Sequence, residues 1–220
     1  MDEITKTLQE KYINDITSKF PIYKIFIFLL FILSTYSYSL NTNDNRLLVG
    51  ISKIKINYIF DFDSGLFSEI SVMDFFACIA FVFINNYIYL KIKGYLFKIF
   101  TKKLDFNSIV KEKYERINII KSEDNSLNFF ISKDISVELS GHREKIKSFH
   151  MISEILLSFA ICLLWGIHDF IIIEYIVLLI LIMLIMCANF ISFKYYLSKF
   201  IPYYVTERAL LGAVANFGDD

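Results

Sequence analysis

FIIIEYIVLLILIMLIMCANFISF, residues 170–193, carries one formal charge, Glu174, in 24 positions. At ~1.5 Å of rise per residue a helix over this run is about 36 Å long, more than the roughly 30 Å of bilayer hydrocarbon. It is too long and too uniformly apolar for a strand or an ordinary core helix, so it reads as a membrane span. Every other segment must then lie on one side of a bilayer, on the other, or across it.

Just upstream, 149–167 reads as another span, less apolar because of Ser153, Glu154 and Ser158. Only residues 168–169 separate the two, which makes them an antiparallel hairpin. Two earlier apolar runs, 21–40 and 71–92, complete a set of four spans. Twenty residues precede the first run and no small-residue cleavage site follows it, so it is expected to be an anchor and not a removed signal peptide.

The polar segments are patterned too. In 1–20, Ile4, Leu8, Tyr12, Ile16 and Phe20 recur every four residues, an amphipathic helix with Asp2 available as N-cap. In the connection 41–70, Ile54, Ile56, Tyr58 and Phe60 alternate with Lys53, Lys55, Asn57 and Asp61, which favours a strand or hairpin edge. In 93–148, Leu104, Phe106, Val110, Tyr114, Ile117 and Ile120 extend the second span as an amphipathic helix to about Lys121. LNFFISKDISVELSG then reads as a small hairpin stopped at Gly141. In the tail 194–220 a helix breaks at Pro202, and Thr206 with Glu207 caps a short apolar helix. The class expected is an all-α membrane protein: four transmembrane helices, an amphipathic N-terminal helix, a folded outer loop with strand character, and a cytoplasmic helix-plus-hairpin segment.

Apolar residues make up 55% of the 220, including 37 Phe and Tyr, and 23 basic residues cancel 23 acidic ones. A balanced charge gives no footing for direct nucleic-acid binding. Abundant Ile, Phe, Lys, Asn and Tyr with few Gly and Pro suggests an A/T-rich bacterial coding region. Cys78, Cys162 and Cys187 each sit in an apolar run without CxxC or a nearby His, as small buried side chains and not as disulfides or metal ligands. Placing both termini and 93–148 on one side, with the Lys at span ends, gathers 20 of the 23 basic residues there and leaves Arg46, Lys53 and Lys55 opposite. By the positive-inside rule both termini are cytoplasmic, in a bacterial inner membrane.

Ionisable residues near membrane depth are the places to look for chemistry. Asp74, Asp169 and Glu174, with His168, fall at outer span ends near Asp61, Asp63 and Glu69 and form a candidate outer carboxylate site. The plainer reading is that they mark the water interface. Glu154 sits one turn inside the cytoplasmic end and reads as a helix-end charge that could pair with Lys145 or Lys147. Tyr114, Arg116, Arg143, Glu207 and Arg208 are candidate partner-binding residues on the cytoplasmic face. Arg143 and His150 have the six-residue spacing of the HEPN ribonuclease motif, but His150 lies at the membrane boundary. Phosphate loops, GxSxG, HExxH, GxxxG and broken-helix signatures are absent. No catalytic residue, cofactor or metal ligand is therefore expected.

The plan as a whole, a small multi-span chain with a basic cytoplasmic face, resembles the KwaA membrane subunits of the Kiwa antiphage systems. The resemblance is architectural and carries over no individual residue. It implies a homo-oligomer in the inner membrane that detects infection and works with a cytoplasmic DNA-acting partner protein. A non-enzymatic subunit that senses membrane perturbation and signals to, or anchors, a soluble effector is the expected function; a bacteriocin immunity protein or an oligomeric pore is the alternative.

Overall fold

The computed structural model describes residues 9–14, 22–40, 47–61, 63–101, 112–113, 115–117, 119, 121, 123–165 and 172–212. Helix α1 covers 9–14, α2 Tyr23–Leu40, α3 Leu47–Lys53, α4 Ile56–Phe60, α5 Leu66–Glu69 and α6 Val72–Thr101. Then come α7 Asn125–Trp165, α8 Ile172–Tyr195, a π-helical turn Tyr196–Phe200, and α9 Ile201–Leu210. Among the described residues there is no strand.

Among the described residues, three helical runs are long and apolar enough to cross a membrane: Val72–Thr101, Asn125–Trp165 and Ile172–Leu210. They are compatible with a multi-pass membrane protein. The fourth expected span corresponds to α2, whose 18 residues give only about 27 Å of helix. Of the N-terminal amphipathic helix expected over 1–20, only 9–14 fall among the described residues.

Three local expectations are corrected. The strand character assigned to 41–70 is replaced by the short helices α3, α4 and α5. Within α4, Ile56 and Phe60 lie one turn apart and both face outward, whereas Tyr58 and Ile59 are half-buried. Over so few residues a period of two and a period of 3.6 leave nearly the same trace.

The hairpin expected at 127–139 is instead part of the 41-residue helix α7. Asn128, Ser132, Leu139, Ile146 and His150 are buried at spacings of four and seven, the signature of one helical face. Gly141 is an interior helical residue, and a Cβ there would meet nothing within 4 Å. Gly141→Ala is therefore expected to stabilise the chain by about 0.5–1 kcal/mol in thermal unfolding, because alanine loses less backbone entropy in a helix. A destabilised variant would argue for a turn at this position.

Pro202 does not end the C-terminal helix. The preceding turn widens so that Ile201 N–H bonds Tyr196 O, and proline then occupies the start of α9, where its missing N–H costs little. Thr206 is thus no N-cap; its hydroxyl donates to Pro202 O at 2.7 Å inside the helix. The helix ends at Gly212, whose φ of +70° only glycine adopts cheaply. Lys121 Nζ donates to Ala209 O there, satisfying a terminal carbonyl.

The described chain forms two compact units. The first comprises Met1–Lys19, Leu90–His150 and Ala188–Asp220; the second comprises Phe20–Tyr89 and Met151–Cys187. Helices α6, α7 and α8 each contribute residues to both. The first unit's core is aromatic: Tyr12 packs 5.3 Å from Phe97 and 4.7 Å from Tyr196, and Phe97 lies 5.5 Å from Phe193. The second unit's core is mostly aliphatic, with Ile27 and Ile32 of α2, Leu47 of α3, Leu66 of α5, Leu163 of α7 and Leu181 of α8. Cys78 and Cys162 are buried there as free thiols, while Cys187 is exposed. Gly50 of α3 closes onto α2, and a Cβ at this position would stand 1.6 Å from Ser37 Oγ.

Candidate functional site

Of the acidic residues weighed for the outer site, Asp61 and Asp74 are used in local structure. Asp74 sits in the first turn of α6, where Ser71 Oγ donates to its carboxylate at 2.6 Å and accepts from its N–H at 3.1 Å, a reciprocal helix cap. Asp61 accepts from Ser64 Oγ and from the N–H groups of Asp63 and Ser64, and these bonds hold its carboxyl below the usual range. Glu69 accepts from Tyr36 at 2.9 Å. Glu174 is buried in the first turn of α8. His168 and Asp169 lie outside the described residues.

A carboxylate that sequence reasoning set aside is as deeply placed as Glu174. Glu154, 1% exposed in the apolar part of α7, accepts a 2.5 Å hydrogen bond from Tyr23 of α2. One turn on, Ser158 Oγ donates to the Glu154 carbonyl and accepts from Asn85 Nδ2 of α6 at 3.0 Å. Four polar side chains thus join three helices within the second unit. Burial of a carboxylate is tolerable only with such partners, so the network fixes which faces of α2, α6 and α7 meet. The sequence signal available for it was the pair Glu154 and Ser158, one helical turn apart inside an apolar run.

In the first unit the π turn and α9 line up Tyr196, Phe200 and Tyr204 as a stack, with adjacent centroids 5.0 and 6.2 Å apart and interplanar angles of 17° and 8°. Cations ring this stack: Lys11 at 4.1 Å and Arg208 at 5.5 Å from the Tyr204 ring, and Arg143 at 5.9 Å from Phe200. Of the candidate partner-binding residues, Arg143 and Arg208 are brought together here, and Glu207 is half-exposed on α9 beside them. Arg116 is exposed elsewhere in the unit and bonds Glu112 at 2.5 Å, a surface pair of little energetic weight. Tyr114 lies outside the described residues. His150 is buried beside Tyr12, 3.4 Å from Ser192 Oγ, a packing role in this unit. Burial pushes the Tyr12 phenol up to about 12, so it stays protonated.

His142 packs on the rings of Tyr195 and Tyr203, and its Nδ1 lies 2.6 Å from Tyr195 Oη. Burial, with Lys145 nearby, lowers its pKa from the ordinary 6.5. The unfolded chain therefore takes up this proton more readily, and the contact's stability is lost as pH falls below 6.5. Melting of the wild type is expected to drop more than that of His142→Gln between about pH 7.5 and pH 5.5. Equal drops would remove His142 from the titration.

Among the described residues no group of three His, Cys, Asp or Glu is placed to hold a metal ion. What the arrangement offers is a polar lock among apolar helices in one unit and, in the other, a buried aromatic stack with cations packed against its rings. No protein-family model, curated protein or solved structure matches the chain.

Proposed function

We propose that the chain is a non-enzymatic, multi-pass subunit of a bacterial inner membrane that senses membrane perturbation and passes it to a soluble effector. In this reading α2 is the fourth span, both termini are cytoplasmic, and the first unit is the cytoplasmic platform. The observation that carries it is that α6, α7 and α8 each belong to both units. In this reading the helices that contribute to both units carry the signal from the bilayer. Arg143, Glu207 and Arg208 are the residues assigned to effector contact, since they are partly exposed side chains, and Arg143 and Arg208 are held against the buried aromatic stack. A homo-oligomer acting in antiviral defence fits the same plan, with phage infection as the perturbation.

Native mass spectrometry of the tagged chain, purified in mild detergent from its own host, tests this. A defined homo-oligomer carrying a soluble protein, lost in Arg143→Ala/Arg208→Ala, is expected. A partner-free protein whose expression alone lowers membrane potential would overturn the proposal in favour of a pore; a partner-free, inert one would favour an immunity protein.

A further inference from the structure

Within the second unit, α2, α3 and the start of α4 enclose a cleft of about 440 Å³, in the size range of small-ligand sites. Tyr36 and Ser37 of α2 form one wall, and Gly50 and Lys53 of α3 with Lys55 and Tyr58 form the other. Among the described residues, no acidic side chain lines it and neither lysine is engaged in an ion pair. Its phenols are fixed in place: Tyr36 and Tyr58 share a 2.6 Å hydrogen bond, and Tyr36 donates to Glu69. Ser37 Oγ is buried at the cleft without a hydrogen-bond partner among the described residues.

The surroundings are apolar. Ile54 contributes to the lining, and on α4, directly after Lys55, Ile56 and Phe60 are 72% and 69% exposed on one face. A basic, hydroxyl-lined cleft beside an outward apolar face is the arrangement that accepts an amphiphile with an anionic head, with cations at headgroup level and apolar side chains among the acyl chains. Of the three basic residues assigned to the outer side, two stand at this one cleft.

We infer that the cleft binds the phosphate headgroup of an anionic phospholipid, so that the connection 41–70 reads the lipid composition of its leaflet. This deepens the sensing proposal and rests on its reading of α2 as a span.

The test uses the full chain in nanodiscs of phosphatidylcholine alone or mixed with phosphatidylglycerol, with lipid retention read by native mass spectrometry. The wild type is expected to retain phosphatidylglycerol over phosphatidylcholine. At about a five-fold contribution per lysine near a membrane surface, Lys53→Gln/Lys55→Gln should weaken that preference about twenty-five-fold. Its melting in phosphatidylcholine alone should be unchanged. Equal retention by the double variant, or no preference in the wild type, would overturn the inference. Displacement of phosphatidylglycerol by inorganic phosphate alone would overturn the lipid assignment in favour of a free anion. Lipid preference without any co-purifying effector would retain the site and reject the sensing subunit; the reverse result would reject the site alone.

Discussion

Phe200→Ala is expected to destabilise the first unit by about 3–5 kcal/mol, the cost of deleting a fully buried aromatic side chain. Phe200 is 0% exposed and stacks between Tyr196 and Tyr204, with Arg143 over its own ring. Removing it opens a cavity between the π turn and α9 and leaves Arg143 without its ring. Phe200→Leu keeps most of the volume and should lose only about 1–1.5 kcal/mol. Proteolysis of the purified chain reports the difference: the alanine variant should be cut rapidly within 125–150 and 201–210, with the apolar part of α8 still protected. Wild-type resistance in Phe200→Ala would mean that the stack does not hold this unit together.

The second large effect is expected at Glu154. Glu154→Ala removes the acceptor for the half-buried Tyr23 and opens a cavity at a fully buried position, for a combined loss of about 2–3 kcal/mol. Glu154→Gln retains an acceptor oxygen and should lose less than about 1 kcal/mol. In a double-mutant cycle with Tyr23→Phe, the coupling should be about 1 kcal/mol, near the upper half of the range for hydrogen bonds between membrane helices. Additive losses would show that the 2.5 Å contact carries no energy. Because Glu154 joins α2 to α7, the same variants should also separate α2 from the apolar helices in crosslinking between Cys pairs placed on those two helices.

The long apolar runs were readable because membrane-spanning helices must be apolar on every face, so length and composition suffice. The connection 41–70 was misread because the alternation at Ile54, Ile56, Tyr58 and Phe60 is too short to separate periods. The exposed Ile56 and Phe60 also invert the usual rule that apolar faces point inward. The stripe along α7 escaped notice because Asn128, Ser132 and His150, all buried, are polar. A pattern scored on hydrophobicity skips them. Pro202 looked like a stop because one widened turn, invisible in sequence, removes the clash.

The sites were less legible than the elements. Tyr23 and Glu154 are 131 residues apart, and nothing local pairs them. Of the outer carboxylates weighed instead, Asp74 of the candidate site and Asp61 beside it are short side chains with a serine three residues away, the pattern of turns and caps. Arg143 and Arg208 were chosen for their charge on a basic face; the aromatic stack that gathers them depends on the turn at Tyr196–Phe200.

Cysteine accessibility in intact cells tests the central claim most directly. Single cysteines replacing Asn14, Asp63 and Ser140, in a chain whose native cysteines are changed to alanine, are reacted with a membrane-impermeant maleimide before and after permeabilisation. The account predicts that Asp63→Cys labels in intact cells and that Asn14→Cys and Ser140→Cys label only after permeabilisation. Asn14→Cys and Asp63→Cys reacting alike would contradict it, because α2 would then not cross the membrane and the connection with its lysine-lined cleft would lie on the same side as the first unit.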